Sequence, residues 1–335
     1  MKRLAFLIAA PLVLIIAFIA FGIYWWGSNS QAPTSNAEDV RFIIPRGWGA
    51  MQVAAKLKEQ GLIKSPLAFK VYVQATGVAG KIQAGEYDLA SNSNLSQLVA
   101  VFLKGPSSIW VTIPEGLRRE EIAVRFADGL SKTGTDRQTF IEGFLNTSDG
   151  KEGYLFPDTY LYPKDITGEK AAGYLLDTFD IKIEPYQKEI EKSSLGLNKI
   201  ITLASLIERE AKGDEERPVI AGILLKRAEN DWPLQVDAAV QYAVASQNCQ
   251  KADPGCEWWP ILTKDDLDVS SKFNTYKYAG FPPSPISNPG ILSIKAAISP
   301  QDSAYWFYLH DKEGNIHYAK TIEEHNQNIR TYLGK

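Results

Sequence analysis

The chain has 335 residues, room for a membrane anchor and about two domains, and its 45% hydrophobic and 22% charged side chains are ordinary for a protein that buries a core. A net charge of -3, from 36 basic and 39 acidic side chains, leaves no basic footprint for nucleic acid. The 2 cysteines and 3 histidines have no metal-site spacing, so neither a metal nor another cofactor is expected.

Lys2 and Arg3 precede an apolar run from Leu4 to Trp26. As a helix of roughly 23 residues it is about 34 Å long, enough to span a bilayer's hydrocarbon core. Pro11 lies near its start, and Tyr24, Trp25 and Trp26 close it as an aromatic belt. The first charges beyond it are Glu38 and Asp39, so the positive-inside rule leaves the N-terminus in the cytoplasm. The expectation is a single-pass anchor (1–26) in the cytoplasmic, or inner, membrane, with the rest periplasmic or extracellular. A cleavable signal peptide fits less well, because the run is long and no small-x-small site follows it.

Residues 27–39 are rich in Gly, Ser, Asn and Gln and read as a flexible linker. Folded sequence begins near Val40. Phe42-Ile43-Ile44 predicts a strand, and Met51, Val53, Ala54 and Leu57 recur at helical spacing up to Gly61. A second helix is predicted from Pro66 to Gln74, a strand from Ala84 to Leu89, and a helix from Leu95 to Leu103 that Gly105-Pro106 stops. Together, 40–108 form a small domain of about 65 residues.

Ile43-Ile44-Pro45-Arg46-Gly47 is echoed by Thr112-Ile113-Pro114-Glu115-Gly116, again followed by an amphipathic helix carrying Ile122, Ala123, Phe126 and Leu130. A reused strand-Pro-Gly-helix connection explains this better than duplication, and the echo marks the start of a second domain, 109–335. There helices are predicted at 169–179, 184–193, 198–211, 217–230 and 291–297, with strands at 155–162, 305–310 and 316–319. Strands and helices do not alternate regularly, so the fold class is mixed α+β and not a doubly wound parallel sheet.

The helix from Asn198 to Ala211 carries Ile200, Leu203, Ala204, Ile207 and Ala211 on one apolar stripe. Glu208 and Glu210 flank that stripe on opposite shoulders. A carboxyl held among aliphatic side chains is desolvated and keeps its proton, which is what a glycosidic oxygen needs in order to leave. Periodicity does not choose between the two.

The motifs are more specific. Leu203-Ala204-Ser205-Leu206-Ile207-Glu208-Arg209-Glu210 resembles the catalytic helix of the MltG (YceG-like) endolytic murein transglycosylase family. In chain order, the segment from Glu152 through Tyr154 to Tyr160 is similar to that family's strand upstream of its active site. Arg217 with Val219, Ile223, Leu224 and Arg227 resembles the next helix. Leu234-Gln235-Val236-Asp237, Phe273-Asn274-Thr275-Tyr276, Gly280-Phe281-Pro282-Pro283, Pro285-Ile286-Ser287-Asn288-Pro289-Gly290 and Glu324-His325-Asn326 complete the likeness.

The resemblance implies a membrane anchor, a small LysM-like domain and a catalytic domain in which Glu208 is the acid. It implies non-hydrolytic cleavage of peptidoglycan between N-acetylmuramic acid and N-acetylglucosamine, leaving 1,6-anhydro ends and limiting strand elongation. Gln235, Asp237, Asn274, Tyr276, Glu152 and Tyr154 would bind substrate. Glycan strands and the cell membrane are the expected partners, with peptidoglycan synthases or division and elongation proteins beyond them.

The sequence departs from the family around Asp237, where Ala238 stands in place of the usual Pro and a longer loop follows. Cys249 and Cys256 flank that loop, around Asp253-Pro254-Gly255, and two close cysteines in an exported protein favour a disulfide. Trp258 and Trp259 could stack on saccharide or cap the core. No histidine neighbours a Ser or Cys motif, which disfavours a Ser-His-Asp hydrolase. Two alternatives stay open: a non-catalytic wall-binding scaffold, and a hydrolytic muramidase with Glu152, Asp158 or Asp237 as its second carboxylate.

Overall fold

The computed structural model describes residues 2–249 and 255–334, so Asp253 and Pro254 of the loop between the cysteines lie outside it. The chain divides into two compact units, Met1–Val111 with Leu161–Asp165, and Thr112–Tyr160 with Ile166–Lys335.

The first unit opens with α1 (Lys2–Asn29), then β1 (Asp39–Ile44), α2 (Ala50–Glu59), α3 (Pro66–Ala75), β2 (Gly85–Ala90), α4 (Leu95–Lys104) and β3 (Ser108–Thr112). The stretch Leu12–Asn29 of α1 is long and apolar enough to cross a membrane and is buried nowhere along its length. Its end behaves differently from a free belt. Trp25 and Trp26 are half-buried against the unit's core, and the Trp26 ring stacks on Tyr72 at 5.9 Å. Strands β1 and β2 pair antiparallel from Asp39↔Ala90 to Ile44↔Gly85. Their inward residues Phe42, Ile44, Tyr87 and Leu89 meet Val53, Leu57, Phe69, Leu98 and Phe102 from the helices. The helices start where local chemistry predicts: Ser65 caps α3 ahead of Pro66, and Asn94 with Gln97 closes a capping box on α4.

In the second unit come α5 (Arg119–Gly129) and α6 (Gly134–Thr147); β4 (Thr159–Pro163) then carries the chain back into the first unit through Leu161–Pro163, in a four-stranded sheet of order β1-β2-β3-β4. They are followed by α7 (Gly168–Ile183), α8 (Gln187–Lys192), α9 (Gly196–Glu210), α10 (Arg217–Glu229) and α11 (Asp237–Asn248). The chain ends with α12 (Ile291–Ile298), the antiparallel pair β5 (Phe307–His310) and β6 (Ile316–Ala319), and α13 (Ile322–Asn328). The architecture is mixed α+β.

Helix α9 is the hub of the second core. Every residue from Ile200 to Ile207 is buried, including Thr202 and Ser205, so the helix has no solvent face between its first and last turns. It packs against α12, α10 and α11.

Two local expectations are corrected. Leu155 to Asp158 is irregular, because Leu155 N–H donates to the Asn288 side chain and Phe156 N–H to Leu175 O, which leaves no ladder for a longer strand. The helix expected over 184–193 is a 3-10 turn at Glu184–Tyr186 followed by the short α8, since Pro185 cannot donate within a continuous helix. The alanine-rich segment after Val236, for which no element is predicted, is helix α11, with Ala238, Ala239, Ala243 and Ala245 buried. Helix α6 is a further element whose weak apolar periodicity gave no sequence signal.

Candidate active site

The last turn of α9 sends three consecutive charged side chains to different partners. Glu208 accepts a hydrogen bond from Gly290 N–H at Oε2 (2.9 Å), and its Oε1 faces the Arg217 guanidinium at 3.6 Å. Its side chain is only 8% exposed. Arg209 lies over the Trp259 ring, 3.8 Å from the centroid. Glu210 accepts from the Tyr308 hydroxyl at 2.9 Å. At about 100° per residue, Glu208 and Glu210 leave α9 on opposite sides.

The Glu208 side is built from three separate stretches of chain. The buried Ser205 hydroxyl accepts from Ile286 N–H (3.0 Å), and Ser287 donates to Ser205 O (3.3 Å), so the loop before α12 lies along α9. Asn288 then ties that loop to the Pro114-Glu115-Gly116 turn: Gly116 N–H donates to Asn288 O (2.8 Å), and Asn288 N–H donates to Leu117 O (2.9 Å). Arg217, at the start of α10, is 9% exposed, donates to the Ser293 hydroxyl (3.1 Å) and pairs with Asp214. The Glu115 carboxylate fills the space beside the Gly290 Cα, since a Cβ there would sit 1.8 Å from Glu115 Oε1.

The Glu210 side gathers other sequence motifs. The Tyr276 hydroxyl donates to Asp237 Oδ1 at 2.6 Å. Burial, reinforced by the charge of Asp237 and opposed by the Tyr308 hydrogen bond, pushes the Glu210 carboxyl up to about 7. Gln235 is exposed in a left-handed conformation (φ 55°), with its N–H donating to Thr275 O. Asn274 is fully buried. Its amide holds Leu267 O and Val269 O while its carbonyl accepts from Tyr276 N–H and Lys277 N–H, so it shapes the loop from within.

Glu152 and Tyr154 lie elsewhere in the unit. Glu152 is buried, accepts from Arg119 N–H (3.1 Å) and Asn288 Nδ2 (2.7 Å), and burial drives its carboxyl well above the usual range. It lines a cavity of about 300 Å³ with Arg118, Arg119, Tyr242 and Trp258. Tyr154 packs edge-on to Phe179, ring centroids 4.9 Å apart, and burial raises its hydroxyl. Cys249 and Cys256 are joined, with Cα atoms 5.8 Å apart. Just beyond them Trp258 covers the Arg118 guanidinium (4.5 Å), as Trp259 covers Arg209. Both indoles thus cap arginines.

Sequence reasoning missed Glu115, Arg217, Asn288 and Tyr308 as site residues. Glu115 stood in the Pro-Gly echo, used only as a boundary mark. Arg217 and Asn288 lay in segments noted for likeness alone. Tyr308 carried no local signal.

Comparison with known proteins adds an independent line. A family model described as YceG-like family matches residues 42–331. An endolytic murein transglycosylase of Bacillus subtilis is 30% identical over 337 residues, covering 93% of this chain and 90% of that protein. One from Streptococcus pneumoniae serotype 2 is 28% identical over 326 residues, covering 87% of this chain and 58% of that longer protein. The crystal structure of a YceG-like protein from Listeria monocytogenes matches with a TM-score of 0.55 and 29% identity, covering 87% of this chain and 99% of that one.

Proposed function

This chain belongs to the YceG-like family, and from that premise we propose that it is a membrane-anchored endolytic murein transglycosylase whose acid is Glu208. The observation that carries the reading is a carboxyl at the end of a helix whose middle turns are buried, held by a backbone N–H and a buried arginine, within the segment that aligns with proteins of that activity.

Glu208 protonates the oxygen joining N-acetylmuramic acid to N-acetylglucosamine, and the bond to C1 breaks through an oxocarbenium-like state. The C6 hydroxyl of the same muramyl residue closes on C1 and gives up its proton to a carboxylate, so no water is consumed. Arg217 steadies the negative charge left on Glu208 once its proton has gone. Gln235, Asp237, Tyr276, Glu152 and Tyr154 are kept as proposed substrate-binding residues, and Asn274 as the support of the Tyr276 loop. The strand–helix–helix–strand unit from β1 to β2 is proposed as a LysM-like module on nascent glycan, in reach of peptidoglycan synthases.

Digestion of purified peptidoglycan followed by mass spectrometry tests this reading. The expected product carries 1,6-anhydromuramyl ends. Ends heavier by one water would establish a muramidase instead, and an unchanged polymer would leave the scaffold reading.

The anchor has its own test. With Lys2 and Arg3 before the apolar run and α1 long enough to span, we expect the C-terminus outside the cytoplasm. A reporter active only in the cytoplasm, fused after Lys335, should be silent. A strong signal from it would remove both the topology and access to the wall.

A further inference from the structure

Glu208 is not the sole carboxylate at Gly290. Its Oε2 takes the Gly290 N–H, and the Glu115 carboxylate lies against the Cα of that same residue, filling the space a Cβ would occupy. Glu115 is exposed and makes no hydrogen bond or ion pair to another described residue. The two carboxylates therefore converge on one residue in contrasting states. One is nearly buried with both oxygens facing donors, and the other is open to solvent and unpaired.

The charges facing this pair are Arg217 and Asp214, from α10 and the turn before it, and Arg209 from α9, whose guanidinium lies 3.5 Å from the position of a Cβ on Gly116. Partial desolvation at its base first, and then the Glu208 charge, raise the Glu115 carboxyl, with Arg217 opposing. A carboxylate shifted that way is a stronger base than an isolated one.

Resting on the transglycosylase reading above, we infer that Glu115 is a second catalytic carboxylate, the group that takes the proton of the muramyl C6 hydroxyl while Glu208 protonates the leaving oxygen. The steps balance without water or any co-reactant. The Glu208 O–H bond breaks and an O–H bond forms on the leaving O4, whose bond to C1 breaks. The C6 oxygen then forms its bond to C1 as its hydrogen passes to Glu115. Transfer of that proton from Glu115 to Glu208 restores the starting state. The division of labour has a geometric reason: Glu208 is pinned by Gly290 N–H and Arg217 and would have to leave them to follow the C6 hydroxyl, whereas nothing holds Glu115 back.

The experiment compares the native chain with Glu115→Gln and Glu115→Asp, following anhydro ends by mass spectrometry across a pH series. Native protein should lose activity toward acid as Glu115 is protonated. In Glu115→Gln, anhydro release should fall about 10²-fold, the low end for general base catalysis. Its acid limb should flatten, and ends heavier by one water should appear as water competes for C1. Glu115→Asp, which keeps a carboxylate, should retain the acid limb.

Native rate and product from Glu115→Gln would overturn the inference. So would a slow variant that keeps the native acid limb and purely anhydro product, which is the mark of a structural role. Unfolding midpoints of all three proteins check that the exposed substitution leaves the fold intact. If the native chain itself yields no anhydro ends, the transglycosylase reading falls first and takes this inference with it.

Discussion

Replacing Glu208 with Gln should abolish release of 1,6-anhydromuramyl ends, by at least about 10²-fold, while the protein stays folded. The amide matches the carboxyl in size and still offers Gly290 N–H an acceptor, so the loop before α12 keeps its anchor. What disappears is the proton that must reach the leaving oxygen. Glu210→Gln is the paired control. Glu210 leaves α9 on the other side, and its carboxylate meets the Tyr308 hydroxyl, which an amide oxygen also accepts. That variant should retain most of the turnover. The pH of the control matters, because the Glu210 carboxyl titrates near 7 in the native protein and the amide removes that ionisation. Any change it causes should therefore grow above neutral pH, where native Glu210 is charged. A dead Glu210→Gln beside a nearly native Glu208→Gln would move the acid to the other side of the helix.

The second large effect is on stability. Asn288 is fully buried, and its side chain serves four partners. Its carbonyl accepts from Gly153 N–H (2.9 Å) and Leu155 N–H (2.8 Å), and its amide donates to Leu117 O (3.0 Å) and Glu152 Oε1 (2.7 Å). Asn288→Ala leaves two buried N–H groups unpaired and takes a donor from a buried carboxyl. Each orphaned group costs about 1–3 kcal/mol, so a loss on the order of 3–5 kcal/mol is expected. Denaturant unfolding of the variant and the native chain measures it. Activity should fall as well, because Gly290, two residues on, holds Glu208. A loss below about 1 kcal/mol would mean that water replaces the amide, and the account of Asn288 as the joint of the site would fail.

Several elements were legible in the sequence because their cause is local. Helix α1 follows from an unbroken apolar run, and α3 and α4 from caps and breakers beside apolar periodicity. Helix α9 could be read from its apolar stripe, although its burial is more complete than a stripe implies, since the loop before α12 also covers Ser205. Helix α11 is a case where propensity carried a signal that went unread, with alanines at 238, 239, 243 and 245 favouring helix.

By itself, the sequence determined the apolar span, the mixed α+β class and the likeness that points to one helix with two candidate carboxylates. Only the tertiary structure decided what each carboxylate meets. Gly290 reaches Glu208 across 82 residues of chain, and Asn288 joins Gly153 across 135. Such contacts leave no trace in local periodicity, which records the face a residue presents but not the partner that covers it. Glu115 shows the difference most plainly. In the sequence it is the middle of a Pro-Glu-Gly turn, and in the fold its carboxylate lies against Gly290 because a glycine stands where any Cβ would collide with it.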